Sequence, residues 1–220
     1  MSNGTLATNA THTGGYVELD VHNLWGLMEE KATHIALQAI HAGKRPFIIS
    51  RSTFPSSGKW TGHWLGDNFS KWQYIRFNIQ GVLQFQIFQI PFVGADTCGF
   101  NGNTDEELCN RWMQLSAFMP FYRNHNERGA ISQEPYRWDS VANASRTAIN
   151  ARYALLPYWV RRFMTPNHRT SNTILFISIR CSLIHQDLGL RLFARYSSNS
   201  LMNLSYLALI RNTLLVATYW

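Results

Sequence analysis

Apolar residues alternate along this chain between two spacings, one of a helix and one of a buried strand. From Asn23, Leu24, Leu27, Met28, Ala32, Ile35, Ala36, Ala39 and Ile40 line one helical face. Asn23 suits the N-cap and Gly43 the stop. RPFIIS (Arg45 to Ser50) then reads as a strand covered on both sides. Trp72, Ile75, Ile79, Val82, Leu83 and Phe85 predict a second helix, with Gln84 to Ile90 ambiguous between helix and strand. Pro91 to Ala95 predicts a short buried strand ending at Asp96. Thr104 and Glu107 form a capping box ahead of Leu108, Trp112, Leu115 and Phe118. Phe121 to Asn124 predicts another strand ending near His125, and Ser140 to Trp159 a last helix that Pro157 kinks or ends. Helices alternating with buried strands point to an α/β fold, a barrel or a doubly wound sheet.

The two ends break this pattern. Residues 1–15, rich in Thr, Asn and Gly, read as a flexible segment. Residues 162–220 carry no Glu, no Lys and no sustained apolar period. A shifted reading frame or retained intron accounts for such a tail, and an unusual amphipathic extension is the alternative.

Charge changes the picture little. The chain of 220 residues has a net charge of +7, but residues 1–161 hold 14 Lys/Arg against 12 Asp/Glu, while residues 162–220 hold 6 Arg and the single acid Asp187. The excess therefore sits in the tail, scattered among Leu, Ser and Asn, unlike the clustered cations of a nucleic-acid surface. No apolar run reaches a membrane span, since Leu201 to Trp220 is broken by Asn203, Arg211 and Asn212. The eight histidines show no metal-ligand spacing with Cys or acids, and no cofactor motif stands out. MSNGTLATNA has neither a basic n-region nor an apolar h-region, so no signal peptide is read. Sequons stand at Asn3, Asn9, Asn68, Asn143 and Asn203.

Candidate chemistry gathers in Arg51 to Asn68, RSTFPSSGKWTGHWLGDN, which holds Arg51, Trp60, His63, Trp64 and Asp67. Indoles can cover the apolar faces of a pyranose, while a carboxyl group and a guanidinium reach its oxygens. Singly, Arg51 suits a surface ion pair, Asp67 and Asp96 turns, and His125 a core histidine. Taken together, Arg51, Asp96 and His125 fall at the C-terminal ends of separate predicted strands, with Asp67 on the loop leaving the first. In parallel α/β architectures active sites are built at that end.

RSTFPSSGKWTGHWLGDN resembles the acid/base loop of glycoside hydrolase family 31, and three later stretches match the family in order: VGADTCGF, NTDEELCNRW and PFYRNHN. The resemblance covers roughly Tyr16 to Trp159. It implies a partial (β/α)8 TIM barrel at 16–161 and a retaining α-glucosidase that releases terminal non-reducing α-1,4-linked glucose from maltose-type oligosaccharides. It makes Asp67 the general acid/base, and Arg51, Trp64, Asp96, Phe100 and His125 the substrate-binding residues. It also implies a Cys98–Cys109 disulfide, for which buried thiols are the alternative by spacing, and a secreted, lysosomal or vacuolar setting. The family's nucleophile is an Asp in a WxDMNE-type motif that this sequence does not contain; Asp20, in ELDVHN, lacks the context. Loss of one carboxylate of such a pair removes the covalent intermediate. The expectation is a chain inactive alone, with a missing N-terminal half-barrel; the alternative is a silent sugar-binding fragment or a half-barrel needing a partner chain.

Overall fold

A computed structural model describes residues 5–164, with side-chain burial given through residue 160. The tail read at 162–220 and Cys181 thus lie outside the described residues, apart from the last turn of a helix ending at Met164.

Three parallel strands, β1 (Ile49–Ser50), β2 (Gly62–Trp64) and β3 (Val93–Gly94), form a sheet in that order, with Ile49 opposite Gly62 and His63 opposite Val93. β4 (Asp96–Thr97) and β5 (Arg123–Asn124) form a parallel pair, with Asp96 opposite Arg123. The run expected as one strand at 91–95 changes partner at Ala95, from β2 to β5. A hydrogen bond from Phe121 N to Val93 O, 3.1 Å, carries the pairing back along β3.

The helices are α1 (Glu18–Val21), α2 (Trp25–Ile40), α3 (Trp72–Ile87), α4 (Glu106–Ser116) and α5 (Asp139–Met164), with a 3₁₀ turn over His22–Leu24 joining α1 to α2. Ile75 and Val82 of α3, Leu108, Trp112 and Leu115 of α4, and Val93 of β3 form the main core with Met119. Ala148 of α5 packs on Ala117 and Phe118 at the end of α4.

Several local expectations are corrected. The helical path starts at Glu18, so Asn23 caps nothing, and the residue before α2 is Leu24 without a side-chain cap. The early start is fixed by the buried Glu18 carboxylate, which takes His12 Nε2 at 2.6 Å, His22 Nδ1 at 2.6 Å and Trp25 Nε1 at 3.2 Å. Those partners, His22 foremost, hold the Glu18 carboxyl below its ordinary range. The polar N-terminal segment is tied down by the same cluster and by an antiparallel bridge between Thr11 and Val17.

RPFIIS is not covered on both sides. Among the described residues β1 pairs with β2 on one flank only, and Phe47 is 68% exposed. The central strand β2 lies inside the stretch read as a loop, because Gly-His-Trp presents no apolar run. Gly62 is needed there: a Cβ would stand 2.5 Å from Phe92 O and 2.9 Å from Ile49 Cδ1.

The ambiguous Gln84 to Ile90 is helical through Ile87. α4 is capped by Asp105 rather than Thr104, its Oδ1 accepting from Leu108 N at 2.9 Å. α5 runs through Pro157 to Met164 instead of ending there. Leu155 on one side of the proline packs against the α4 end, and Trp159 on the other lies under the Arg152 guanidinium at 4.3 Å. Such packing offsets the lost backbone donor.

Candidate active site

Arg51, Trp64, Asp67, Asp96 and His125 stand at the C-terminal ends of parallel strands. Arg51 follows β1, Trp64 ends β2 with Asp67 just beyond, Asp96 comes two residues after β3 as the first residue of β4, and His125 follows β5. One expectation changes: Asp67 leaves β2, not the strand that delivers Arg51. Four strand ends contribute where three were expected.

Trp64 ties the first two ends together. The Arg51 guanidinium lies 5.7 Å from its ring centroid and that of Arg123 5.5 Å. Gly66, the residue before Asp67, lies against the Arg51 stem. It adopts φ +79°, and a Cβ there would sit 3.2 Å from Arg51 Cδ. Asp67 and His125 are exposed, and Asp67 makes no ion pair among the described residues. Phe100 and His125 face one another with ring centroids 5.2 Å apart, tilted by 34°.

Asp96 is wholly buried and takes Arg123 Nε at 2.8 Å, with a shorter contact from Arg123 Nη2. Burial pushes its carboxyl above the ordinary range; Arg123 and then His125 pull it down, and the negative charge of Asp67 pushes it up. The second oxygen of Asp96 is buried without a partner.

Sequence reasoning missed the residues that hold these ends in place. Arg123 is one, although its two-residue spacing from Phe121 in a predicted strand put both on one face. Asn68 is another: buried, it donates from Nδ2 to Asp96 O at 3.0 Å and accepts from Phe100 N at 2.9 Å. The sequon at Asn68 is therefore inside the fold. Gln133 is a third, its Nε2 lying 3.0 Å from Gly99 O and 2.9 Å from Asn124 Oδ1. The Cys98–Cys109 disulfide is formed, closing the loop before Phe100 onto α4.

Other members of the cluster face elsewhere. Trp60 packs under α2 against His34, 5.5 Å between rings, so one indole rather than two attends the site. His63 points to the opposite face of β2 from Trp64, stacks on Phe85 at 3.6 Å, and is pushed down to about 4 by burial. No group of three or more His, Cys, Asp or Glu able to hold a metal occurs among the described residues.

Comparisons with known proteins agree on one family. The model of the glycosyl hydrolases family 31 TIM-barrel domain matches residues 2–162. The chain is 58% identical over 170 residues to an alpha-glucosidase of Aspergillus oryzae, covering 77% of this chain and 17% of the relative. It is 56% identical to glucoamylase 1 of Schwanniomyces occidentalis, again over 77% of the chain and 18% of the relative. Among solved structures it is similar to a Tris-bound glucosidase II alpha subunit, with a TM-score of 0.68 and 37% identity over 72% of this chain and 18% of that one. A Flavobacterium johnsoniae family 31 dextranase complexed with glucose superposes with a TM-score of 0.66 at 28% identity, over 74% and 21%. The chain thus spans less than a fifth of the length of these curated relatives. With parallel strands, intervening helices and a family model that matches most of its length, the chain belongs to glycoside hydrolase family 31 and forms part of that family's TIM-barrel domain.

Proposed function

We propose that this chain carries the acid/base half of a retaining α-glucosidase site, directed at terminal non-reducing α-1,4-linked glucose of maltose-type oligosaccharides. The supporting observation is that Arg51, Asp67, Asp96 and His125 follow the parallel strands β1, β2, β3 and β5, each at the C-terminal end. In this reading Asp67 gives its proton to the departing glycosidic oxygen and later takes one from the attacking water. Arg51 braces the sugar and the carboxylates, His125 meets sugar hydroxyls, and Asp96 holds the network through Arg123. Trp64 and Phe100 form apolar walls. A retaining mechanism needs a second carboxylate about 5–5.5 Å from the first. The motif that supplies it in the family is absent from this sequence, so the chain alone is proposed to bind glucose-like ligands without turning substrate over. A secreted, lysosomal or vacuolar compartment, oxidising enough for the disulfide, belongs to the same reading.

Hydrolysis of an aryl α-glucoside, read beside calorimetric titration with deoxynojirimycin, tests this. Binding without turnover is expected, and Trp64→Ala weakens it about tenfold by removing a stacking wall. Turnover comparable to an intact enzyme overturns the missing-nucleophile part, and absence of binding overturns the site.

One observation favours a second reading, a half-barrel that pairs with another chain. Among the described residues β1 presents an unpaired edge, and Trp25, Met28, Ile35 and Ile40 of α2 and Phe47 are each more than half exposed.

A further inference from the structure

Gln133 precedes Pro135 in a segment with no strand or helix of its own, yet its side chain is only 3% exposed. Besides the contacts to Gly99 O and Asn124 Oδ1, its Nε2 lies 3.3 Å from Thr97 O and 3.4 Å from His125 O. All four neighbours are acceptors, so the amide is oriented with its NH₂ towards them. Two hydrogens serve the two nearest, one on each side. Asn124 returns a bond from Nδ2 to Gln133 O at 2.9 Å. Gly99 is the residue before Phe100, and Asn124 the residue before His125. One buried amide thus bridges the backbone that carries the phenyl ring and the strand end that carries the imidazole. On its far side Phe100 is fixed by Asn68, and its carbonyl takes Glu127 N at 3.0 Å, so Gln133 supplies the side-chain tie between two ends that backbone pairing already brings close.

We infer that Gln133 is a positioning residue for the Phe100–His125 wall, setting the separation of the two rings. Glutamate at this place would set a carboxylate against four oxygens, and methionine would keep the length but lose both donors. The inference rests on the sugar-site reading only for its ligand arm.

The test uses the full chain in four forms: unaltered, Gln133→Met, Gln133→Glu, and the exposed helix control Asn150→Ala. In the first arm, NMR reads the ring-proton shifts of His125, which the facing Phe100 ring displaces. That displacement is expected in the unaltered chain and the control, and lost in both Gln133 variants while the amide pattern of the rest persists. Its survival in Gln133→Met overturns the inference. Should both variants unfold, Asn124→Leu removes the β5 half of the bridge together with the return bond to Gln133 O and must lose the displacement as well; its retention there overturns the inference too. In the second arm, deoxynojirimycin titration is run on Gln133→Met, His125→Ala and the double variant. An affinity loss of about tenfold is expected for Gln133→Met, with no added loss in the His125→Ala background. Additive losses point to a merely structural role and overturn it. Failure of the unaltered chain to bind refutes the sugar-site reading, and the NMR arm then decides the positioning role by itself.

Discussion

Asp96 and Arg123 stand opposite each other in register on β4 and β5, and the guanidinium reaches the only partnered oxygen of a carboxylate that no solvent touches. The pairing of two strands and the neutralisation of a buried charge are thereby one event. Arg123→Ala leaves Asp96 buried without its cation, which costs about 3 kcal/mol, somewhat less than a fully buried pair because Arg123 is partly exposed. Burial already raises the Asp96 carboxyl, so its folded form holds a proton more readily than the unfolded chain. The folded form gains from that proton below the ordinary carboxylate range and loses the gain as pH rises through the raised value. Urea unfolding of Arg123→Ala should accordingly show a deficit that grows from acid to neutral pH. Asp96→Asn in the same background should recover part of it.

His63 predicts the opposite slope. Its imidazole, buried against Phe85, takes a proton only near pH 4, whereas in the unfolded chain it does so near the ordinary value of 6.5. Between those limits the unfolded state binds more protons, so stability falls as pH drops through the window. The loss is roughly 2 kcal/mol once solvent screening is allowed for. Thermal melting at pH 7 and pH 4.5 should show it, and His63→Phe should flatten the difference.

Asn68 predicts both an absence and a cost. Glycan mapping after secretory expression should find no occupancy at Asn68, because its amide is engaged with Asp96 O and Phe100 N. Asn68→Ala removes both side-chain bonds, leaves Phe100 N and Asp96 O with only their backbone partners Asn68 O and Gly99 N, and costs about 1 kcal/mol in chemical unfolding.

Reduction of the Cys98–Cys109 bond opens a cross-link spanning 11 residues. Loop entropy of that length is worth about 2–3 kcal/mol. A Cys98→Ala, Cys109→Ala double variant should lose that much in urea and become insensitive to dithiothreitol.

The legible parts of the fold were those where packing follows one period. α3 and α4 bury one face each, and Ile75, Val82, Leu108 and Trp112 announced it. β2 was hidden because its partners fill both flanks while its own sequence, Gly-His-Trp, is chosen for close backbone approach and for two different faces. Asp67 was therefore assigned to the wrong strand end, although its neighbourhood was found. Arg123, Asn68 and Gln133 stayed unread for a different reason. A polar side chain looks alike whether it ends in water or bridges two backbones, and strand pairing decides which. Cys98 with Cys109 came from family resemblance, since spacing alone left thiols equally open.

Gly66 makes Arg51 and Asp67 a single mechanical unit. The arginine stem lies 3.2 Å from where a Cβ would stand, and the left-handed turn that carries Asp67 onward is open to glycine with little strain. Any other residue at that point presses on the arginine stem and strains the acid's loop in the same stroke. Attempts to retune one of the pair by altering the intervening chain will therefore move both, and efforts to redesign this end of β2 have to start from compensating changes at Arg51.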